Sequence, residues 1–160
     1  MKIDITDLRS GKLSSIPLQY KESLDVTLYH EFGVTSMDEM VVEGTVRADE
    51  GSILADVKYS IQLAFQCGRC LKDLKKAING SLLIDLTNDD LAEDLVIHHQ
   101  LELRPALEDD LHLNMPMQVL CEDDCKGLCP MCGVDLNIDQ CDCNDDKVDP
   151  RLESLKNFFN

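Results

Sequence analysis

The sequence predicts an α+β fold. An antiparallel β-sheet at 39–86, flat or curled into a barrel-like form, is followed by a short helix, a cysteine-rich zinc-binding tail and a C-terminal helix. Three observations carry this reading. Ile53, Ala55, Val57, Tyr59, Ile61, Leu63 and Phe65 fill successive odd positions, with Asp56, Lys58, Ser60 and Gln62 between them. That period of two belongs to a long strand with one buried face. Alternation resumes on even positions at Leu74, Ile78, Leu82, Ile84 and Leu86. Six of the eight cysteines then crowd into residues 121–143. The chain divides accordingly into a β-rich core over 1–120 and a metal-binding tail with its terminal helix over 121–160.

Taken in order, Lys2 to Asp7 suits a short strand, broken at Ser10-Gly11. Residues 12–38 mix polar and apolar positions among scattered Ser, Pro and Gly, which reads as short strands or loops. From Glu39 the pattern sharpens, with Val42, Gly44 and Val46 alternating against Glu43, Thr45 and Arg47. Ala48-Asp49-Glu50-Gly51 ends in a glycine and makes the turn into the long strand. Cys67 continues the buried parity of that strand, so Cys67-Gly68-Arg69-Cys70 falls at a hairpin bend between two strands. Asn79-Gly80 has the composition of a turn, but the alternation keeps its phase through it, which favours a continuous or bulged strand. An acidic loop follows over 87–94, then a short strand at Val96-Ile97. Pro105 to Leu111 reads as a helix with proline in its first turn and Leu107 and Leu111 on one face. At the end, Asp149-Pro150 has the form of an N-cap and N1 proline, before a stripe of Leu152, Leu155 and Phe159.

The net charge of −16 is uneven. Residues 1–84 carry ten bases against twelve acids, whereas 85–124 carry twelve acids against Arg104 alone. Such a face repels phosphate backbones and suits either a basic partner or simple solvation. One basic island stands out: Arg69, Lys72, Lys75 and Lys76, the expected contact for a phosphate or an acidic partner, or else a lysine-bearing strand that deters edge aggregation. No apolar run is long enough to span a membrane, and no secretory leader is recognisable, which places the protein in the cytoplasm. In that reducing compartment eight cysteines point to metal, not disulfides.

The tail reads C-x3-C-x3-C-x2-C-x8-C-x-C from Cys121 to Cys143. Cys129-Pro130-Met131-Cys132-Gly133 is a knuckle in which two thiolates converge on one metal and the glycine permits a positive φ. The second pair comes from Cys141 and Cys143, whose eight-residue spacer lets the chain turn back, or from Cys121 and Cys125. One four-thiolate site would then leave two tail sulfurs over, with Cys121 equally able to serve as a buried apolar residue. Cys67 and Cys70 are the lesser candidates. They read as half of a second site borrowing tail sulfurs, as a redox dithiol, or as inert buried sulfur. All-thiolate ligation suits zinc or iron–sulfur, and the knuckle favours zinc. The histidines form no ligand set, since His98 and His99 are adjacent in the chain. No nucleophile elbow, Walker loop, HExxH or Rossmann glycine pattern is present, and with no tryptophan a base-stacking platform is disfavoured.

Several of these stretches together resemble the YceD family, the large ribosomal RNA subunit accumulation proteins. They are Cys67-Gly68-Arg69-Cys70-Leu71, the run Cys125 to Asn137, Cys141-Asp142-Cys143, Asp149-Pro150-Arg151-Leu152, and the segment Leu113 to Cys121. The resemblance covers roughly residues 35–157 and implies a non-catalytic role in ribosome biogenesis through large-subunit rRNA accumulation, with structural metal. A chain this acidic binds RNA weakly. The expected partner is therefore a basic ribosomal protein or assembly factor meeting 85–124, with any RNA contact confined to the basic island. The competing readings are a thiol redox enzyme, an rRNA-processing nuclease, and a zinc-ribbon adaptor unrelated to ribosomes.

Overall fold

The computed structural model describes residues 2–49, 51–87 and 94–143. The predicted terminal helix, with Asp149-Pro150-Arg151-Leu152, and most of the acidic loop lie outside the described residues.

The alternating stretches form the centre of the sheet. Strands β4 (Met40–Asp49), β5 (Ser52–Gln66) and β6 (Asp73–Asp85) pair antiparallel in sequence, with Val42 opposite Tyr59 and Tyr59 opposite Gly80. The odd positions of β5 from Ile53 to Phe65 are all buried, and Cys67 continues the row. Strand β6 runs through Asn79-Gly80 without a turn. Gly80 is there because the Tyr59 ring lies on it: a Cβ added at this position would strike the ring. The Tyr59 hydroxyl donates to Asp110 Oδ2 at 2.7 Å, tying the sheet to the helix above it.

Residues 12–38 are more regular than their composition suggests. They form β2 (Ser15–Glu22), a 3-10 helix (Val26–Phe32) and β3 (Val34–Met37). Strand β2 lies at the sheet edge against β4, where Pro17 costs no ladder hydrogen bond. Strand β3 pairs with the far end of β5, beside the same edge as β4. β6 takes the opposite edge of β5 along its whole length. Among the described residues the sheet is thus open, since β2 and β6 do not pair, and not a barrel.

A second, three-stranded sheet joins β1 (Lys2–Asp4), β8 (Gln100–Glu102) and β7 (Val96–Ile97) in that order. The short helix α1 (Thr6–Arg9) follows β1. Helix α2 (Arg104–Asn114) carries Pro105 in its first turn and buries Ala106, Leu107 and Leu111. One apolar core runs beneath α2 and the main sheet and takes in Met115 and Val119 beyond the helix. Among the described residues no helix is long and apolar enough to cross a membrane.

Candidate metal centres

The eight cysteines fall into two sets of four: Cys67, Cys70, Cys121 and Cys125, and Cys129, Cys132, Cys141 and Cys143. In each set every sulfur lies within 4.8 Å of the others. The sequence reading placed one site in the tail with two sulfurs over; the fold leaves none over. No histidine joins either set.

The inner set is built from the bend between β5 and β6. The Cys67 N–H donates to Lys72 O (2.9 Å) and the Leu71 N–H to Cys67 O (3.0 Å), with Leu71 in the left-handed region at φ 61°. This closes the turn and sends both thiols inward. The chain after α2 is pinned beside it, because the Gly68 N–H donates to Val119 O at 2.9 Å. Cys121 and Cys125 therefore arrive at the bend. Cys67 Sγ stands 3.8 Å from Cys125 Sγ, and Cys70 Sγ 3.6 Å from Cys121 Sγ. Those separations are far beyond a disulfide bond. They match the edge of about 3.8 Å expected for four sulfurs at roughly 2.3 Å around one tetrahedral ion. Cys67, Cys70 and Cys125 are buried.

Arg69 braces this centre. Its Nη1 donates to the Cys125 carbonyl at 2.7 Å, and its own carbonyl accepts from the Leu128 N–H at 3.2 Å. Gly127 (φ 78°) passes so close that a Cβ would sit 3.0 Å from the Arg69 carbonyl oxygen. The remaining members of the predicted basic island, Lys72, Lys75 and Lys76, are exposed. Their positions do not make one patch. Lys75 pairs with Ala64 and Lys76 with Leu63, so the two point from opposite faces of β6.

The outer set is a local ribbon. The Cys129 N–H donates to Val134 O (2.8 Å) and the Gly133 N–H to Cys129 O (2.9 Å), with Gly133 at φ 75°. Leu128 bridges Asp135 across this knuckle. Cys129 is buried, whereas Cys132 and Cys143 are exposed. Asn137, in the chain between Cys132 and Cys141, reaches back to the inner centre: its Nδ2 meets Cys125 Sγ at 3.5 Å and its Oδ1 accepts from the Lys126 N–H at 2.7 Å.

Backbone donors aimed at sulfur set the charge state. The Cys67 thiol is drawn down to about 6, chiefly by the Cys70 N–H and further by those of Arg69 and Cys121. Cys129 is drawn down to about 6 by the N–H groups of Cys132 and Met131. Burial, then hydrogen bonding with Cys125, pushes Cys121 up to about 12. Its hydrogen bond with Cys132, then burial, pushes Cys143 up to about 12. Each metal-free set thus presents a thiolate at neutral pH beside at least one held proton, and a cation is what would displace that proton.

Sequence reasoning overlooked Asn137 as part of the site; it expected Arg69 to brace its own bend, and the side chain and carbonyl of Arg69 brace the tail loop at Cys125 and Leu128. One signal was available. Gly127 stands two residues after Cys125 and Gly133 directly after Cys132, and a second glycine close behind a tail cysteine marks a second tight bend at sulfur. The boundary placed at 120/121 falls inside the inner set, which draws two cysteines from either side.

The family model described as large ribosomal RNA subunit accumulation protein YceD matches residues 55–159, a span containing every cysteine. The Bacillus subtilis protein YlbN is 27% identical over 125 residues, covering 74% of this chain and 73% of that protein. The Mycobacterium tuberculosis protein Rv2926c is 28% identical over 99 residues, 56% of this chain and 47% of that one. A chloroplastic YCED homolog 1 of Arabidopsis thaliana, named a large ribosomal RNA subunit accumulation protein, is 31% identical over 59 residues, 37% of this chain and 18% of its own. The chain thus spans about half the length of the mycobacterial relatives it matches. No solved structure matches it.

Proposed function

The chain belongs to the YceD family, and on that premise we propose that it is a non-catalytic cytoplasmic factor supporting accumulation of large-subunit ribosomal RNA. The observation that carries this reading is the family match itself, which runs from within β5 through both cysteine sets. In this reading both sets hold zinc and serve the structure. Four sulfurs gathered within 4.8 Å have the spacing to enclose a single ion and leave no room for a multi-iron cluster. A bound zinc would supply a fixed tetrahedral crosslink. The residues around it do the rest: Arg69 and Asn137 hold the tail loop, and backbone N–H groups share the charge on sulfur.

The same geometry weighs against a thiol redox enzyme. The ionised sulfur of Cys67 is wholly buried, so no substrate disulfide reaches it. RNA is disfavoured as the direct ligand, because Arg69 is engaged at the Cys125 carbonyl and Lys75 and Lys76 diverge. The partner we favour is a basic ribosomal protein or assembly factor meeting the acidic 85–124 region. The test is depletion in growing cells, with large- and small-subunit rRNA quantified. The reading expects the large-subunit species to fall relative to the small and to recover with the wild-type chain. An unchanged ratio on depletion would overturn it.

A further inference from the structure

Along β6 no charged side chain stands between Lys76 and Asp85. Among the described residues β6 pairs solely with β5, and no second strand among them runs along the other side of 77–84. Lys72, Lys75 and Lys76 blunt the end next to the bend. From Ala77 to Ile84 the strand reads Ala-Ile-Asn-Gly-Ser-Leu-Leu-Ile, without a charge. Beside that stretch a cleft of about 240 Å³ opens between β6 and α2. Its apolar wall includes Leu82 and Ile84 of the strand, Leu95, and Leu113 in the last turn of the helix. Leu113 is 85% exposed, a large apolar side chain left without cover.

Three acids, Asp94, Asp109 and Asp110, line the same cleft, and no basic residue does. Among the described residues none of the three is in an ion pair, and the nearby Arg104 is already spent on Glu22 and Glu108. Asp110 is fixed in place by the Tyr59 hydroxyl and by Asn114 Nδ2 at 2.8 Å. A strand edge left unpaired among the described residues along 81–84, an apolar trough beside it and a one-signed rim are complementary to one kind of occupant. That occupant is an extended segment whose apolar side chains alternate with Lys or Arg. Its backbone would extend the sheet, its apolar residues would enter the trough, and its cations would meet the acids.

We propose that residues 81–84 of β6 and the adjoining α2 cleft form a strand-addition site for an extended, cationic, alternately apolar segment of a partner protein. The inference rests on the reading above that the partner is basic, and it gives that partner a seat and a conformation.

The probe is a fluorescent nine-residue peptide of alternating Lys and Leu, titrated by anisotropy against the full zinc-loaded chain at 150 mM salt, about physiological ionic strength. The proposal expects one-to-one binding that weakens at least tenfold when alternate peptide nitrogens are methylated. It expects a similar loss with Asp94→Asn plus Asp109→Asn, and with Leu113→Lys, both surface changes outside the metal centres. Thermal melts establish that these variants are folded. Equal binding of the methylated peptide, or unchanged affinity in both folded variants, overturns the proposal. So does a dimer of the chain itself that is dispersed by Leu113→Lys, since a second copy would then hold the site. The two readings fail separately. Depletion that lowers large-subunit rRNA while the folded variants bind the peptide normally removes the docking site alone. Specific docking with no rRNA effect on depletion removes the ribosomal reading alone.

Discussion

Destroying the inner centre should destabilise the whole protein, and destroying the outer centre should not. The inner sulfurs join the β5–β6 bend to chain 51 residues further on at Cys70–Cys121 and 58 at Cys67–Cys125. If the metal acts as a crosslink, a loop of that length removes unfolded-state entropy equivalent to about 4 kcal/mol. That is a large part of the 5–15 kcal/mol that holds a typical domain together. For a chain of this size it corresponds to a fall in Tm of roughly 8–16 °C. The outer set spans only Cys129 to Cys143, within a ribbon whose sulfurs are partly exposed and which adds little to the main core. Its loss should open the ribbon and leave the transition of the sheet within about 2 °C, as expected of a local unfolding unit. The assay is thermal unfolding by circular dichroism on reduced, zinc-loaded protein. It compares Cys70→Ser with Cys121→Ser against Cys132→Ser with Cys143→Ser. Limited proteolysis of the second pair should cut first within 129–143. An outer variant that melts as early as the inner one, or an inner variant that melts like wild type, would refute the reasoning.

The metal-free protein should have a stability optimum near pH 9, read as the urea midpoint of reduced, chelator-treated protein against pH. Cys67 falls to about 6 from an ordinary 9.0, so its contribution is full above pH 9, declines toward pH 6 and is gone below it. Cys121, raised to about 12, acts oppositely, and stability is lost as pH climbs from 9 toward 12. A midpoint flat between pH 6 and 9 would contradict this. For the same reason zinc binding at pH 7 should release at least one proton per centre, measured by calorimetry in buffers of different ionisation enthalpy. Arg69→Ala should weaken zinc at the inner centre by about 10–100-fold in a chelator competition while the outer centre keeps its affinity. Gly80→Ala adds the Cβ that collides with the Tyr59 ring and should cost about 1–3 kcal/mol by urea unfolding. Alanine otherwise favours a strand over glycine, so native stability in that variant would mean the ring does not rest there.

The central hairpin was legible in the sequence because one face of it is buried along its length. Every odd side chain from Ile53 to Phe65 meets the core, and that requirement leaves a strict period of two. Strand β2 was not legible, because an edge strand has little core to meet: only Leu18 is fully buried in it, and Pro17 interrupts the expected composition. The open sheet was equally hidden, since closure depends on whether β2 and β6 meet, and alternation within a strand says nothing about that.

Among the cysteines, local spacing brought out Cys129 and Cys132 and favoured Cys141 and Cys143 beside them. It could not assign Cys121 and Cys125. Their neighbours in space are over fifty residues away in sequence, brought there by the Gly68–Val119 hydrogen bond and the Arg69 clamp. The basic island shows the converse. Its four members lie within eight residues, but the pleat of β6 turns Lys75 away from Lys76, and Arg69 serves the tail.

Two separate four-thiolate centres are the core of this account, and the metal content of the reduced full chain tests it most directly. Elemental analysis should find two zinc ions per chain, falling to one in Cys70→Ser with Cys121→Ser and to one in Cys132→Ser with Cys143→Ser. A single zinc in the wild-type chain, or loss of both ions from either double variant, would contradict it.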